Sequence, residues 1–194
     1  QGDLNAAKEL VIRATLLDPF FAPFHMNLGG IYKDLGNLDQ ALVSTLKSLE
    51  LNPDNPDAYI NLGSIYKGLG NLDQALVATL KSLELKSDDY IAYMNLGSIQ
   101  QLLGDLDQAL SSTLKSLELN PDNPEAQINL GSTYQALGDF DQALASTLKS
   151  LELSPDNPDV HMNLGGIYKS LGDPDRALAS TLKSLEFNPD NADA

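Results

Sequence analysis

Asparagine returns at one constant step, at Asn27, Asn61, Asn95, Asn129 and Asn163, and each is followed by Leu-Gly. A carboxamide donates and accepts hydrogen bonds together, so it can match one backbone amide of a ligand without reading that residue's side chain. An apolar residue precedes each asparagine (Met26, Ile60, Met94, Ile128 and Met162), and such side chains form an adaptable strip. Gly30, Ser64, Ser98, Ser132 and Gly166 stand three places on and leave room for a backbone to approach. The pattern is chemistry for holding an extended peptide. The alternative is structural: the amides bond within or between repeats, and the Met and Ile side chains pack.

No other constellation competes. His25 and His161 are the only histidines and lie four repeats apart. At about 8–10 Å per repeat they cannot share a metal within one chain. There is no cysteine, no loop that would cradle a phosphate and no nucleophile beside a base. The aspartates gather at helix starts and turns, where capping accounts for them. The sequence therefore predicts no catalytic residue, no metal site and no cofactor, and the chain is not read as an enzyme.

Positioning such a ladder requires a stack of identical units. A fixed period of roughly 20–50 residues marks a repeat array in which each unit buries its apolar face only against its neighbours. Residues 56–89 show the unit. Asn55-Pro56-Asp57 starts a helix, with Asn as cap, Pro at the first helical position and Asp at the positive end of the dipole. Leu62, Tyr66 and Leu69 follow at helical spacing. Gly70 ends this helix in a left-handed turn. Asn71-Leu72-Asp73-Gln74 then resembles a capping box opening a second helix, whose apolar face is Ala75, Leu76, Leu80, Leu83 and Leu85. Each helix should run about 12–14 residues, roughly 20 Å. Gly63 sits mid-helix at a cost of about 1 kcal/mol, tolerable if it lets the paired helix approach at Ala75.

Leu62-Gly63, Tyr66, Gly70, Ala75 and Leu83 resemble the tetratricopeptide repeat pattern. The resemblance covers nearly the whole chain: a lone second helix within 1–21, full repeats at 22–55, 56–89, 90–123, 124–157 and 158–191, and the start of another at 192–194. It implies an all-α fold, an α-solenoid of helical hairpins in a right-handed superhelix, with the first helices lining a concave groove. The groove would then present Asn27, Asn61, Asn95, Asn129 and Asn163 with their apolar neighbours, similar to the asparagine ladder of O-linked N-acetylglucosamine transferase. The chain departs from the pattern in places. Thr45, Thr79, Thr113, Thr147 and Thr181 stand where the family has an aromatic, and Ser48, Ser82, Ser116, Ser150 and Ser184 stand where it has alanine. These hydroxyls are expected to bond back to carbonyls one turn earlier. Gln100 replaces a tyrosine. The family's carboxylate clamp for acidic tails needs cations where this chain has Met26, Ile60, Met94, Asp57, Ile91 and Glu125.

The net charge of −15 is spread along the chain. It repels nucleic acid and anionic lipid and favours a neutral or basic protein or peptide partner. No apolar run reaches the length of a membrane span. The chain opens part-way through a repeat and stops where another would begin, so it reads as a piece of a longer array. Leu178, Leu182 and Leu185 should be partly bare, which predicts end-to-end homo-oligomers. Three readings follow: a peptide-binding scaffold, the substrate-recruiting arm of a larger enzyme such as a glycosyltransferase, or a self-assembling structural array.

Overall fold

The computed structural model describes residues 2–189; the expected start of a further repeat at 192–194 lies outside them. Eleven helices and no strand occur among the described residues: α1 (Gly2–Leu17), α2 (Ala22–Asp34), α3 (Leu38–Leu51), α4 (Pro56–Gly68), α5 (Leu72–Leu85), α6 (Tyr90–Leu103), α7 (Leu106–Leu119), α8 (Pro124–Leu137), α9 (Phe140–Leu153), α10 (Pro158–Ser170) and α11 (Pro174–Phe187). The fold is an all-α helical repeat. It divides into two compact units, the first ending at Ile99 and the second beginning at Gln100.

In unit 1, α1 packs on α2, α2 pairs with α3, and α4 pairs with α5 and also touches α2 and α3. Its core holds Leu49, Ala58, Leu62 and Ala78, with Met26, Leu42, Tyr59 and Tyr66 against them. In unit 2, α8 pairs with α9 and α10 with α11, while α7 rests on α8 and α10 rests on both α8 and α9. First helices of successive hairpins therefore touch one another in each unit.

Local chemistry explains the boundaries. Asn55 Oδ1 accepts the N–H groups of Asp57 (3.1 Å) and Ala58 (3.3 Å); Asn123 caps α8 by accepting from Ala126 N–H (3.0 Å) and Asn157 caps α10 by accepting from Asp159 N–H (2.9 Å). Asp89 takes this role for α6, accepting from Ile91 N–H at 2.9 Å and Ala92 N–H at 3.3 Å. Gly70 has φ +76°. It donates to Lys67 O (3.0 Å), and Asn71 N–H reaches Tyr66 O (2.9 Å), so the last carbonyls of α4 are satisfied. A side chain at Gly70 would meet nothing within 4 Å; glycine is required there by conformation, not by space. Gly63 is the opposite case. A Cβ there would collide with Thr79 Oγ1 and sit 3.3 Å from Ala75 O. The close approach is thus to the backbone at Ala75 and, above all, to the Thr79 hydroxyl.

Two expectations need correction. Asn71 makes no side-chain cap bond; the Gly70 turn instead presents its own carbonyl to Leu72 N–H at 3.1 Å. The hydroxyls also divide. Thr79 and Thr147 bond back to Ala75 O and Ala143 O, both at 2.8 Å. Ser48 and Ser150 instead reach across the hairpin to Ala22 O (3.0 Å) and Pro124 O (2.8 Å). The helices pack closely enough for the short serine side chain to bond the start of its partner helix. Thr45, Thr113, Ser82 and Ser184 have buried hydroxyl oxygens without a partner.

Candidate functional site: the asparagine face

The recurring asparagines fall on the first helix of each hairpin, but their environments differ. In unit 1, Asn27 on α2 is exposed and Asn61 on α4 is half-buried, whereas Asn95 on α6 is only 7% exposed. Asn95 Nδ2 donates to Ser64 Oγ on α4 at 3.0 Å. Asn61 faces Gly30 instead, its Nδ2 4.0 Å from where a Cβ on that glycine would sit. With no hydroxyl there, Asn61 has no such bond. In unit 2, Asn163 Nδ2 donates to Ser132 Oγ at 3.3 Å, and Asn129 is half-buried. Ser64 and Ser132 of the preceding hairpins thus each receive an asparagine amide, and Gly30 offers Asn61 no such acceptor.

A second polar rung runs the other way. Lys67 Nζ donates to Ser98 Oγ at 3.1 Å, and in unit 2 the Gln135 amide lies beside Gly166. Serine at this node therefore links adjacent hairpins, a role beyond the making of space that its small size suggests. The offset between Ser64 and Asn95 and between Ser132 and Asn163 is visible in the sequence, but Ser98 stands at the same offset before Asn129 and accepts from Lys67 instead, so spacing alone does not single out the bonded pairs.

The apolar neighbours also separate. Met26, Met94, Ile128 and Met162 are half-buried, and Met26 Sδ accepts from Asn55 Nδ2 at 3.4 Å. Ile60 is 8% exposed and belongs to the packing.

Charge on this face is mild. Lys33 pairs with Asp34 at 3.5 Å. Two carboxyls with shifted pKa values lie at helix starts. Burial pushes the Asp89 carboxyl up, but hydrogen bonds from Lys86 and from the N–H groups of Ala92 and Ile91 outweigh it and hold its pKa below the usual value. The N–H of Arg176, then its guanidinium, lowers Asp173.

The histidines serve packing. His25 Nε2 lies 2.9 Å from Pro19 O, and His161 Nε2 lies 2.8 Å from Pro155 O. A carbonyl only accepts, so each Nε2 carries the proton. His161 also stacks on Phe187. Among the described residues no group of three His, Asp or Glu side chains is placed to hold a metal ion. No described helix is long and apolar enough to cross a membrane.

Family profiles described as tetratricopeptide repeat match residues 56–89, 88–156 and 128–192, and one described as TPR repeat matches residues 29–70. No curated protein matches the chain. Among solved structures, the chain is similar to the APC/C hetero-tetramer Cut9-Hcn1 at 23% identity and TM-score 0.89, covering 99% of this chain and 38% of that one. It thus spans well under half of that relative. TTC0263, a thermophilic TPR protein of Thermus thermophilus, is 29% identical with TM-score 0.80, covering 89% of this chain and 94% of that one. YrrB, described as a TPR protein with an unusual peptide-binding site, is 24% identical with TM-score 0.63, covering 95% of each chain.

Proposed function

The chain belongs to the tetratricopeptide repeat family, and from that premise we propose that it is a protein-interaction scaffold whose first-helix face holds an extended, neutral-to-basic peptide. Proteins of this family generally mediate protein–protein interaction, and YrrB has a peptide-binding site on a similar fold. The observation that carries the reading is the pair of carboxamides in unit 1, Asn27 exposed and Asn61 without a serine partner beside Gly30. Each keeps a donor and an acceptor for a peptide group. Adjacent helices are about 8–10 Å apart and an extended chain advances about 3.3 Å per residue, so successive asparagines meet roughly every third residue of a ligand. Asn129 offers the same group in unit 2. Asn95 and Asn163 take part through the carbonyl oxygen that their bond to serine leaves. Of the apolar strip, Met26, Met94, Ile128 and Met162 flank the ligand, and Ile60 supports them from below. The role is binding, not catalysis.

The test is a peptide selected from a displayed library against the intact chain, with affinity measured by calorimetry. Asn27→Ala with Asn61→Ala should weaken it about thirtyfold, the worth of two neutral hydrogen bonds at about 1 kcal/mol each, without moving the melting temperature. Unchanged affinity would remove the asparagine face from the binding site.

A further inference from the structure

Unit 1 carries the same cleft twice, and neither copy belongs to the asparagine face. One, of about 320 Å³, lies among Leu28, Tyr32, Asp39 and Val43. The other, of about 470 Å³, lies among Leu62, Tyr66, Asp73 and Val77. Counterparts stand one repeat apart, so the clefts recur with the hairpins. In each, the first helix supplies leucine and tyrosine and the second supplies aspartate and valine. The valines are 70% and 68% exposed. Single exposed apolar residues need no explanation, but two at the same place, each walling a cavity beside a tyrosine and a carboxylate, do.

The chain itself displays what such a wall accepts. In the last hairpin, Arg176 occupies the position held by Gln40 and Gln74 in the two clefts. Its guanidinium lies over the ring of Tyr168, 4.7 Å from the centroid, and is tied to Asp173. Tyr168 is the counterpart of Tyr32 and Tyr66. Asp173 is the counterpart of Asn37 and Asn71, whereas the cleft aspartates Asp39 and Asp73 match Asp175. The unit 1 clefts thus keep the aromatic face and carry their carboxylate two places further on, with glutamine where the internal cation would be. Lys81 borders the second cleft, but its ammonium is engaged by Glu84 at 2.7 Å. In the third full repeat Gln100 stands in the tyrosine's place and spends its amide on Gln108 (3.2 Å) and Ser112 (2.7 Å), so no aromatic wall is offered there.

We infer that the two clefts seat basic side chains of a partner protein, arginine above all. The guanidinium lies on Tyr32 or Tyr66, its charge faces Asp39 or Asp73, and its methylenes cover the leucine and valine. A planar, weakly hydrated guanidinium stacks on an aromatic face where a compact ammonium does so less well. The net charge of −15 draws cationic segments toward this surface. Two seats one repeat apart, about 8–10 Å, match arginines three residues apart in an extended segment. The inference is independent of the asparagine face, since it uses other residues, drawn from both helices of each hairpin.

The probe is the peptide acetyl-Arg-Ser-Gly-Arg-amide, titrated against the intact, isotope-labelled chain at low salt by NMR. Its isostere carries citrulline for both arginines. The arginine peptide should bind at least about fivefold tighter than the citrulline peptide, the scale of one cation–π contact, with shifts centred on Val43 and Val77. Asp39→Asn with Asp73→Asn, and separately Gln40→Arg with Gln74→Arg, should each weaken it about fivefold or more. Asp122→Asn with Asp156→Asn changes the charge by the same amount at exposed turns and should stay within about twofold. Equal loss in both aspartate pairs would reduce the effect to diffuse charge and overturn the assignment. So would equal binding of the citrulline peptide, no detectable binding, or retained binding in the arginine-filled variant.

Discussion

Replacing Asn95 and Asn61 separately by alanine separates the structural from the ligand-facing asparagines. Asn95 is buried and donates to Ser64 Oγ at 3.0 Å; Asn61 has no hydroxyl opposite it, because Gly30 stands there. A neutral hydrogen bond contributes about 1 kcal/mol net, and a buried partner left unsatisfied costs about 1–3 kcal/mol. Ser64 is only half-buried, so water recovers part of its loss and the lower end of that range applies. Asn95→Ala should therefore cost about 1.5 kcal/mol, while Asn61→Ala should stay within about 0.5 kcal/mol, as surface changes usually do. For a chain of this size about 1.5 kcal/mol corresponds to roughly 3–6 °C in Tm. Far-UV circular dichroism melts and urea titrations of the two variants measure the difference. Peptide affinity should respond in the reverse order, with Asn61→Ala the more damaging. Equal stability losses, or no loss at Asn95, would refute the division of labour drawn from the bond to Ser64.

Gly63→Ala should destabilise by about 1–2 kcal/mol despite alanine's better helix propensity, because the new methyl displaces the Thr79 hydroxyl from Ala75 O; a urea midpoint at or above that of the parent chain would contradict this. Asp89 has a lowered pKa in the folded chain, so its contribution is present above the unfolded value near about 4 and is lost as pH falls through the folded value. The stability gap between the parent chain and Asp89→Asn should accordingly close between about pH 5 and pH 2, and a gap unchanged over that range would deny the carboxylate this role. Leu178 and Leu182 are 61% and 56% exposed. Light scattering over a concentration series should show end-to-end association that Leu178→Lys with Leu182→Lys abolishes, and a strict monomer throughout would dismiss it.

Much of the architecture was legible because it rests on local chemistry. Asn55-Pro56 and Gly70 mark where one helix starts and ends, since capping and a left-handed turn depend on residues a few places apart. The fixed period then copies that reading along the chain. Asn27 and Asn95 look alike in sequence, yet one is exposed and the other is buried on Ser64. Which state each takes depends on the residue that a neighbouring hairpin places opposite it. Ile60 and Met26 likewise follow the same pattern, but only packing sends the isoleucine into the core. Ser48 bonds across its hairpin while its counterpart Ser82 has no partner, and Thr79 bonds back along its own helix while its counterpart Thr45 does not; the repeat pattern is the same in each pair. Sequence alone determined the repeating hairpin and the chemistry it displays. The tertiary structure decided which of those groups are already satisfied, because hydrogen bonds between side chains of different hairpins exist only once the hairpins stack.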